Sequence, residues 1–90
     1  MSTENAAGPD RQIILDALRE ASAYAMANDE RAARFLAGES DFTFEELDLD
    51  SLARMELCIA IEVATGVSIA PDELTAIQTL NGLVERVRAG

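Results

Sequence analysis

Ser51 is the residue best placed to do chemistry. It follows Glu46, Asp48 and Asp50, three carboxylates within five residues, and precedes Leu52, Met55 and Ile59 at helical spacing. This pattern sets the hydroxyl at the start of a helix, beside unpaired backbone N–H groups and the positive end of the helix dipole, where an attached anion is tolerated. Catalysis by Ser51 itself is a different matter, because a serine nucleophile requires a base within hydrogen-bond reach. The 90-residue chain contains no histidine, and its seven cations are all arginine, so Ser-His and Ser-Lys arrangements are excluded. Only Asp50 is adjacent, and nothing in the sequence orients it. Ser51 therefore reads as an anchoring point modified by another protein, in a chain that is not an enzyme.

The alternating acids raise the question of calcium. An EF-hand loop needs glycine at its sixth position and glutamate at its twelfth; counted from Asp48 these are Ala53 and Ile59, so the pattern fails twice. The single cysteine, Cys58, offers neither a disulfide nor a paired metal-ligand spacing, and reads as a small hydrophobe. No apolar stretch resembles a signal peptide or is long enough to span a bilayer, which leads us to expect a reducing, cytoplasmic setting and no membrane. A net charge of −10, from 17 acids and 7 arginines, opposes binding to nucleic acid or anionic lipid. It favours a monomer that meets basic protein surfaces.

Positioning Ser51 falls to a small aliphatic core. With 49% hydrophobic and 4% aromatic residues and few period-two runs, the chain reads as all-α with no sheet. Residues 1–8 read as a disordered tail and 9–90 as one domain. Ile14, Leu18, Ala21 and Ala25 form the stripe of a helix over 10–27, bordered by Ile13 and Tyr24, with Arg11, Asp16, Arg19 and Glu20 on the other faces. Asn28 or Asp29 can cap a short helix over 30–37, closed by Gly38, with Phe35 and Leu36 inward. Phe42 and Phe44 follow in a polar loop.

The helix that begins at Asp50 or Ser51 runs to about Thr65. Leu57, Ile61 and Ala64, flanked by Ala53 and Ala60, form its inward stripe; Ser51, Met55, Ile59 (or Cys58) and Glu62 form a second. So apolar a helix exceeds what this small domain can bury, and its surplus marks a contact surface. Gly66 ends it, and Val67 and Ile69 anchor the crossing that follows. Pro71 opens a short helix over 72–76 with Leu74 and Ile77 inward, and Thr79 caps a last helix over 80–88 built on Leu80, Leu83, Val84 and Val87.

The segment Leu47-Asp48-Leu49-Asp50-Ser51-Leu52, followed by Met55-Glu56-Leu57, Ile61-Glu62, Gly66-Val67, Pro71-Asp72-Glu73-Leu74 and Thr79-Leu80, resembles the phosphopantetheine attachment region of the acyl carrier proteins. The resemblance spans about Phe42 to Val87. It implies a four-helix bundle with three main helices and a short third, here with an extra short helix in the first loop. It also implies a 4'-phosphopantetheine arm, taken from coenzyme A by a phosphopantetheinyl transferase and attached to Ser51, with Asp50 and Leu52 flanking. Acyl cargo would ride on it as a thioester while an acyltransferase, ketosynthase or other acyl-processing enzyme docks on Asp48, Met55, Glu56, Ile59 and Glu62. Leu57, Ile61, Leu74, Ile77 and Leu80 would line an acyl pocket.

The family reading is a stand-alone carrier for polyketide or specialised fatty-acyl synthesis. An aminoacyl or peptidyl carrier of a nonribosomal system and an unmodified carrier-shaped interaction protein are the alternatives. Three features depart from the pattern. Asp48 stands where the family has a glycine free to adopt positive φ, Arg54 and Val63 stand where acids or neutral polar residues are usual, and the 28–46 segment carries the inserted helix.

Overall fold

The computed structural model describes residues 9–22 and 28–90 and contains five helices: α1 (Pro9–Ala21), α2 (Asp29–Leu36), α3 (Ser51–Thr65), α4 (Pro71–Ile77) and α5 (Leu80–Ala89). The expected N-terminal tail, Tyr24 and Ala25 lie outside the described residues; the helix expected to run to about Ala27 ends at Ala21, and Ser22 is not helical. Helices α1, α3 and α5 are the three main elements, α4 is the short one, and α2 is the extra helix in the first loop. Among the described residues there is no strand; one isolated antiparallel bridge joins Thr43 and Thr79.

Helix α1 packs chiefly on α3 and then on α5, while α4 closes the gap between α3 and α5. Ile14, Leu15, Leu18, Phe35, Phe44, Leu57, Ile61, Leu74, Leu80, Leu83 and Val84 are essentially inaccessible and form a single core. All four apolar residues expected to face inward from α5 do so. The expected acyl-pocket residues Leu57, Ile61, Leu74 and Leu80 belong to this core as well, with Ile77 packed at its margin.

Local chemistry sets the helix ends. Asn28 caps α2 by accepting from the Arg31 N–H at 3.0 Å, and Thr79 Oγ1 caps α5 by accepting from Gly82 N–H at 3.0 Å. Gly66 ends α3 at φ 79, a left-handed conformation that costs glycine nothing. Helix α4 ends with Gln78 at φ 70, a non-glycine residue kept there because its N–H donates to Leu74 O at 2.9 Å and its carbonyl accepts from Phe44 N–H at 3.0 Å. Glu73, in the first turn of α4, accepts from Arg86 at 2.9 Å. That hydrogen bond, and one from the Ala70 N–H, lower its carboxyl below the usual range.

Two expectations are corrected. Arg11, placed on a polar face of the first helix, is buried: its Nη1 donates to Phe35 O at 2.8 Å and its guanidinium stacks 4.9 Å from the Phe35 ring centre. The docking of α2 creates that environment, 24 residues away, which no local pattern reveals. Ala64, assigned to the inward stripe of α3, is exposed, and Cys58 is buried in its stead. The inward arc is centred on Ala53, Leu57, Cys58 and Ile61, and Ala64 falls beside an open cleft next to Glu20, at the end of α1. Burial, and then the nearby Glu73 carboxylate, push the Cys58 thiol up, so it is an inert packing residue.

Candidate functional site

The loop before α3 delivers Ser51 by a series of side-chain-to-backbone bonds. Thr43 and Glu46 bond reciprocally: Thr43 N–H donates to Glu46 Oε1 at 2.8 Å and Glu46 N–H to Thr43 Oγ1 at 2.9 Å. The loop is stitched to α5 where Leu80 N–H donates to Phe42 O at 2.9 Å and Asn81 N–H to Asp41 Oδ1 at 2.9 Å. Phe42, Phe44, Leu47 and Leu49 are all buried, so this stretch sends four pegs into the core, in two alternating pairs separated by Glu45 and Glu46. Both aromatics of the loop serve.

Asp48 then turns the chain with φ 58, which is the left-handed conformation expected where relatives of the pattern have glycine. Because Asp48 is exposed and no side chain fills its place in the core, Asp48→Gly is expected to raise stability by about 0.5–1 kcal/mol, relief of the left-handed strain outweighing the added chain entropy. Urea denaturation read by far-ultraviolet circular dichroism measures this; an unchanged or lower midpoint would show that aspartate adopts the turn without strain.

Asp50 is the N-cap of α3, and its Oδ1 accepts from Ala53 N–H at 2.8 Å. Its carboxylate is thus committed to the backbone and is not aimed at the hydroxyl as a base. All three acids of the motif have structural employment, Glu46 in the loop bond, Asp48 in the turn and Asp50 in the cap. Among the described residues no acid, histidine or cysteine cluster suits a metal ion.

Ser51 is the first helical residue, exposed, and borders an open cleft of about 450 Å³ lined by Leu49, Asp50, Arg54, Pro71, Asp72 and Thr75. An exposed hydroxyl at a helix start with free space beside it fits attachment of a bulky phosphodiester, since nothing has to move to admit it. Leu52, the next residue, is 58% exposed and points away from the core.

Beyond Leu52 the outer face of α3 carries Met55, Ile59 and Val63, at 45%, 55% and 83% exposure. Their spacing keeps these four side chains on one arc of the helix, a continuous apolar stripe running away from Ser51. Glu56 and Glu62 are exposed on its flanks. A second cleft, of about 430 Å³, opens beside it between Glu20 of α1 and Glu56, Ile59, Ala60, Val63 and Ala64. The sequence indicated Met55 and Ile59; Leu52 and Val63 extend the stripe at both ends, and the same helical count would have included them.

The phosphopantetheine attachment site family profile matches residues 33–87, which takes in the loop, α3, α4 and nearly all of α5. The chain is 37% identical over 82 residues to the anthracycline acyl carrier protein DauA of Streptomyces sp. (strain C5), covering 87% of this chain and 95% of that one.

The chain belongs to the acyl carrier proteins.

Shorter matches agree. Polyketide-8 synthase acyl carrier protein 2 of Streptomyces avermitilis is 43% identical over 47 residues, 52% of this chain and 53% of that protein. Acyl carrier protein 2 of Ralstonia nicotianae is 37% identical over 46 residues, 51% and 57% of the two chains. Against these two the chain spans little more than half the length of its relative. No solved structure matches. Membership means that this carrier protein is not an enzyme, that its prosthetic group is a covalent 4'-phosphopantetheine, and that it works with a phosphopantetheinyl transferase and acyl-processing enzymes. Among the described residues no helix is long and apolar enough to cross a membrane.

Proposed function

We propose that Ser51 bears the 4'-phosphopantetheine arm and that the protein carries polyketide intermediates as a stand-alone acyl carrier. The observation that carries this reading is the exposed Ser51 hydroxyl at the first turn of α3, on the helix whose outer face is an apolar stripe edged by acids. The near full-length likeness to anthracycline carriers, at 37% and 35% identity, supports polyketide cargo. When attached, the group supplies a thiol on a flexible arm, to which acyl chains bind as thioesters.

The chain's own residues bind, orient and shield. Asp50 fixes the first turn of α3 and so the direction of the Ser51 hydroxyl; its Oδ1 is taken by the Ala53 N–H, and the base for arm transfer comes from the transferase. Met55 and Ile59, with Asp48, Glu56 and Glu62 around them, form the face that partner enzymes grip. The acids steer basic partners and the apolar centre holds them. Leu57, Ile61, Leu74, Ile77 and Leu80 form the region between α3, α4 and α5 that parts to shelter an acyl chain. The charge of −10 supports a monomer, and the buried lone Cys58 is compatible with a reducing cytoplasm.

Incubation with coenzyme A and a broad-specificity phosphopantetheinyl transferase tests the proposal by intact mass. Wild type is expected to gain one phosphopantetheine and Ser51→Ala none, while the variant's melting is unchanged because the residue is exposed. No gain in wild type, under conditions that load another carrier, overturns the assignment.

A further inference from the structure

The cleft beside Ser51 presents an electrostatic problem. Two of its walls are the carboxylates Asp50 and Asp72, and Arg54 is its single cationic wall. A phosphodiester on Ser51 would enter a strongly acidic neighbourhood in a protein of net charge −10. Resting on the assignment of Ser51 as the attachment residue, we infer that Arg54 is a positioning residue that holds the phosphodiester through its guanidinium and so fixes where the arm leaves the protein.

Helix geometry brings the two together. Residues three apart on a helix are surface neighbours, with Cβ atoms about 5–6 Å apart, and helical side chains lean toward the N-terminus, which for Arg54 means toward Ser51. The structure has the side chain in that direction: Arg54 Nε donates to Leu49 O at 3.1 Å, two residues before the serine. The guanidinium carbon lies 6.0 Å from the centre of the Phe44 ring, so the group is held both at its edge and over a buried aromatic. Arg54 also borders the neighbouring cleft formed by Thr43, Phe44, Glu45, Leu74, Thr75 and Gln78, which places it on the ridge between the two.

What remains is donor capacity. Among the described residues Arg54 forms no salt bridge, although Glu45, Asp50 and Asp72 line the same clefts, and its two terminal nitrogens have no protein partner. Arg86, Arg88 and Arg34, by contrast, each pair with a carboxylate. A planar guanidinium with its Nε engaged and both Nη groups free suits the paired oxygens of a phosphodiester. The position follows Ser51 by three residues in the one helix that partners grip, so the contact also draws the arm's base toward α4 and off the apolar stripe.

The test compares wild type, Arg54→Gln and Arg54→Lys, each before and after loading, with the mass gain verified first. Phosphorus NMR reads the diester directly, and the melting temperature of each loaded form is referenced to its own unloaded form, which cancels any cost of losing the Leu49 contact. In Arg54→Gln the phosphorus resonance is expected to move and to lose its dependence on salt between about 50 and 500 mM. Loading is expected to lower its melting temperature by roughly 2–6 °C more than it does in wild type, with Arg54→Lys falling between them. Identical phosphorus shifts and identical loading effects in wild type and Arg54→Gln overturn the inference while leaving Ser51 as the attachment residue. Loading of wild type and Arg54→Lys but not of Arg54→Gln also overturns it, by assigning Arg54 to the transferase contact. A wild-type chain that never gains mass overturns the attachment assignment and this inference together.

Discussion

Phe35→Ala is expected to destabilise the protein by about 3–5 kcal/mol, enough to remove much of the roughly 5–10 kcal/mol that holds a domain of this size. The ring is fully buried and is the main means by which α2 joins the core, with Ala32 beside it. Truncation opens a cavity under α1. It also removes the aromatic face over which the Arg11 guanidinium lies, leaving a buried cation with less to offset its desolvation. Arg11 is already at a disadvantage there. Burial, and then Arg88, lower its pKa, Asp41 only partly opposes this, and its Nε lacks a partner among the described residues. Arg11→Met is therefore the informative comparison, because it keeps an unbranched stem in place and removes the buried charge. Phe35 O keeps the Gly38 N–H at 3.0 Å, so this change is expected to cost only about 1–2 kcal/mol. Urea melts of the three proteins, read by far-ultraviolet circular dichroism, decide the matter. A loss under about 1 kcal/mol for Phe35→Ala would mean that α2 is an appendage and not part of the cooperative unit.

The Phe35–Arg11 pair also marks where sequence reasoning stopped. Features determined within one turn of chain were legible, namely the Thr79 cap, the Gly66 and Gly38 terminations and the four inward residues of α5, while the left-handed turn at Asp48 was implied by the family resemblance. Each depends on neighbours at most four residues away. The burial of Arg11 depends on where α2 lands, and α2 is held by one aromatic side chain and few others. In sequence Arg11 reads as polar surface because a charged residue at that spacing usually is. Ala64 departs for a related reason: its angular position on α3 is close to that of Leu57, yet it borders the open cleft next to Glu20.

At the site itself the residue types were informative and the division of labour was not. Ser51 could be singled out because it opens an apolar helix, and the absence of histidine and lysine makes it an anchor and not a catalyst; the structure adds that Asp50 is occupied as a cap. Glu46 and Asp48 look in sequence like part of an acidic site, yet one closes a loop bond and the other makes a turn. The exposed stripe was legible in Met55 and Ile59, because α3 is more apolar than a small bundle can bury. Arg54 stood out only as a departure from the family pattern, and its contacts with Leu49 and Phe44 give that departure a physical setting.

The stripe supports the second large prediction. Ile59→Glu is expected to lower the kcat/KM for arm transfer by about 10–100-fold, with melting temperature changed by less than about 3 °C. Both halves follow from exposure: a side chain more than half accessible contributes little to the fold, yet at the centre of an interface it has most of its apolar surface left to lose to a partner. Distance grades the effect. At 1.5 Å per residue Ile59 lies about 12 Å along α3 from Ser51 and Val63 about 18 Å, so Val63→Glu, although at the more exposed position, is expected to cost less than about 3-fold. Met55→Glu, one turn from the serine, is expected to match or exceed the Ile59 change. Salt separates the two contributions at this face. Replacing Glu56 or Glu62 by glutamine is expected to slow association and flatten its salt dependence, as steering by flanking acids requires, whereas Ile59→Glu is expected to weaken the complex at every ionic strength. Unchanged transfer in all three variants would place the grip elsewhere on the molecule, and a loss confined to Val63 would move it to the far end of α3, beside the cleft shared with Glu20.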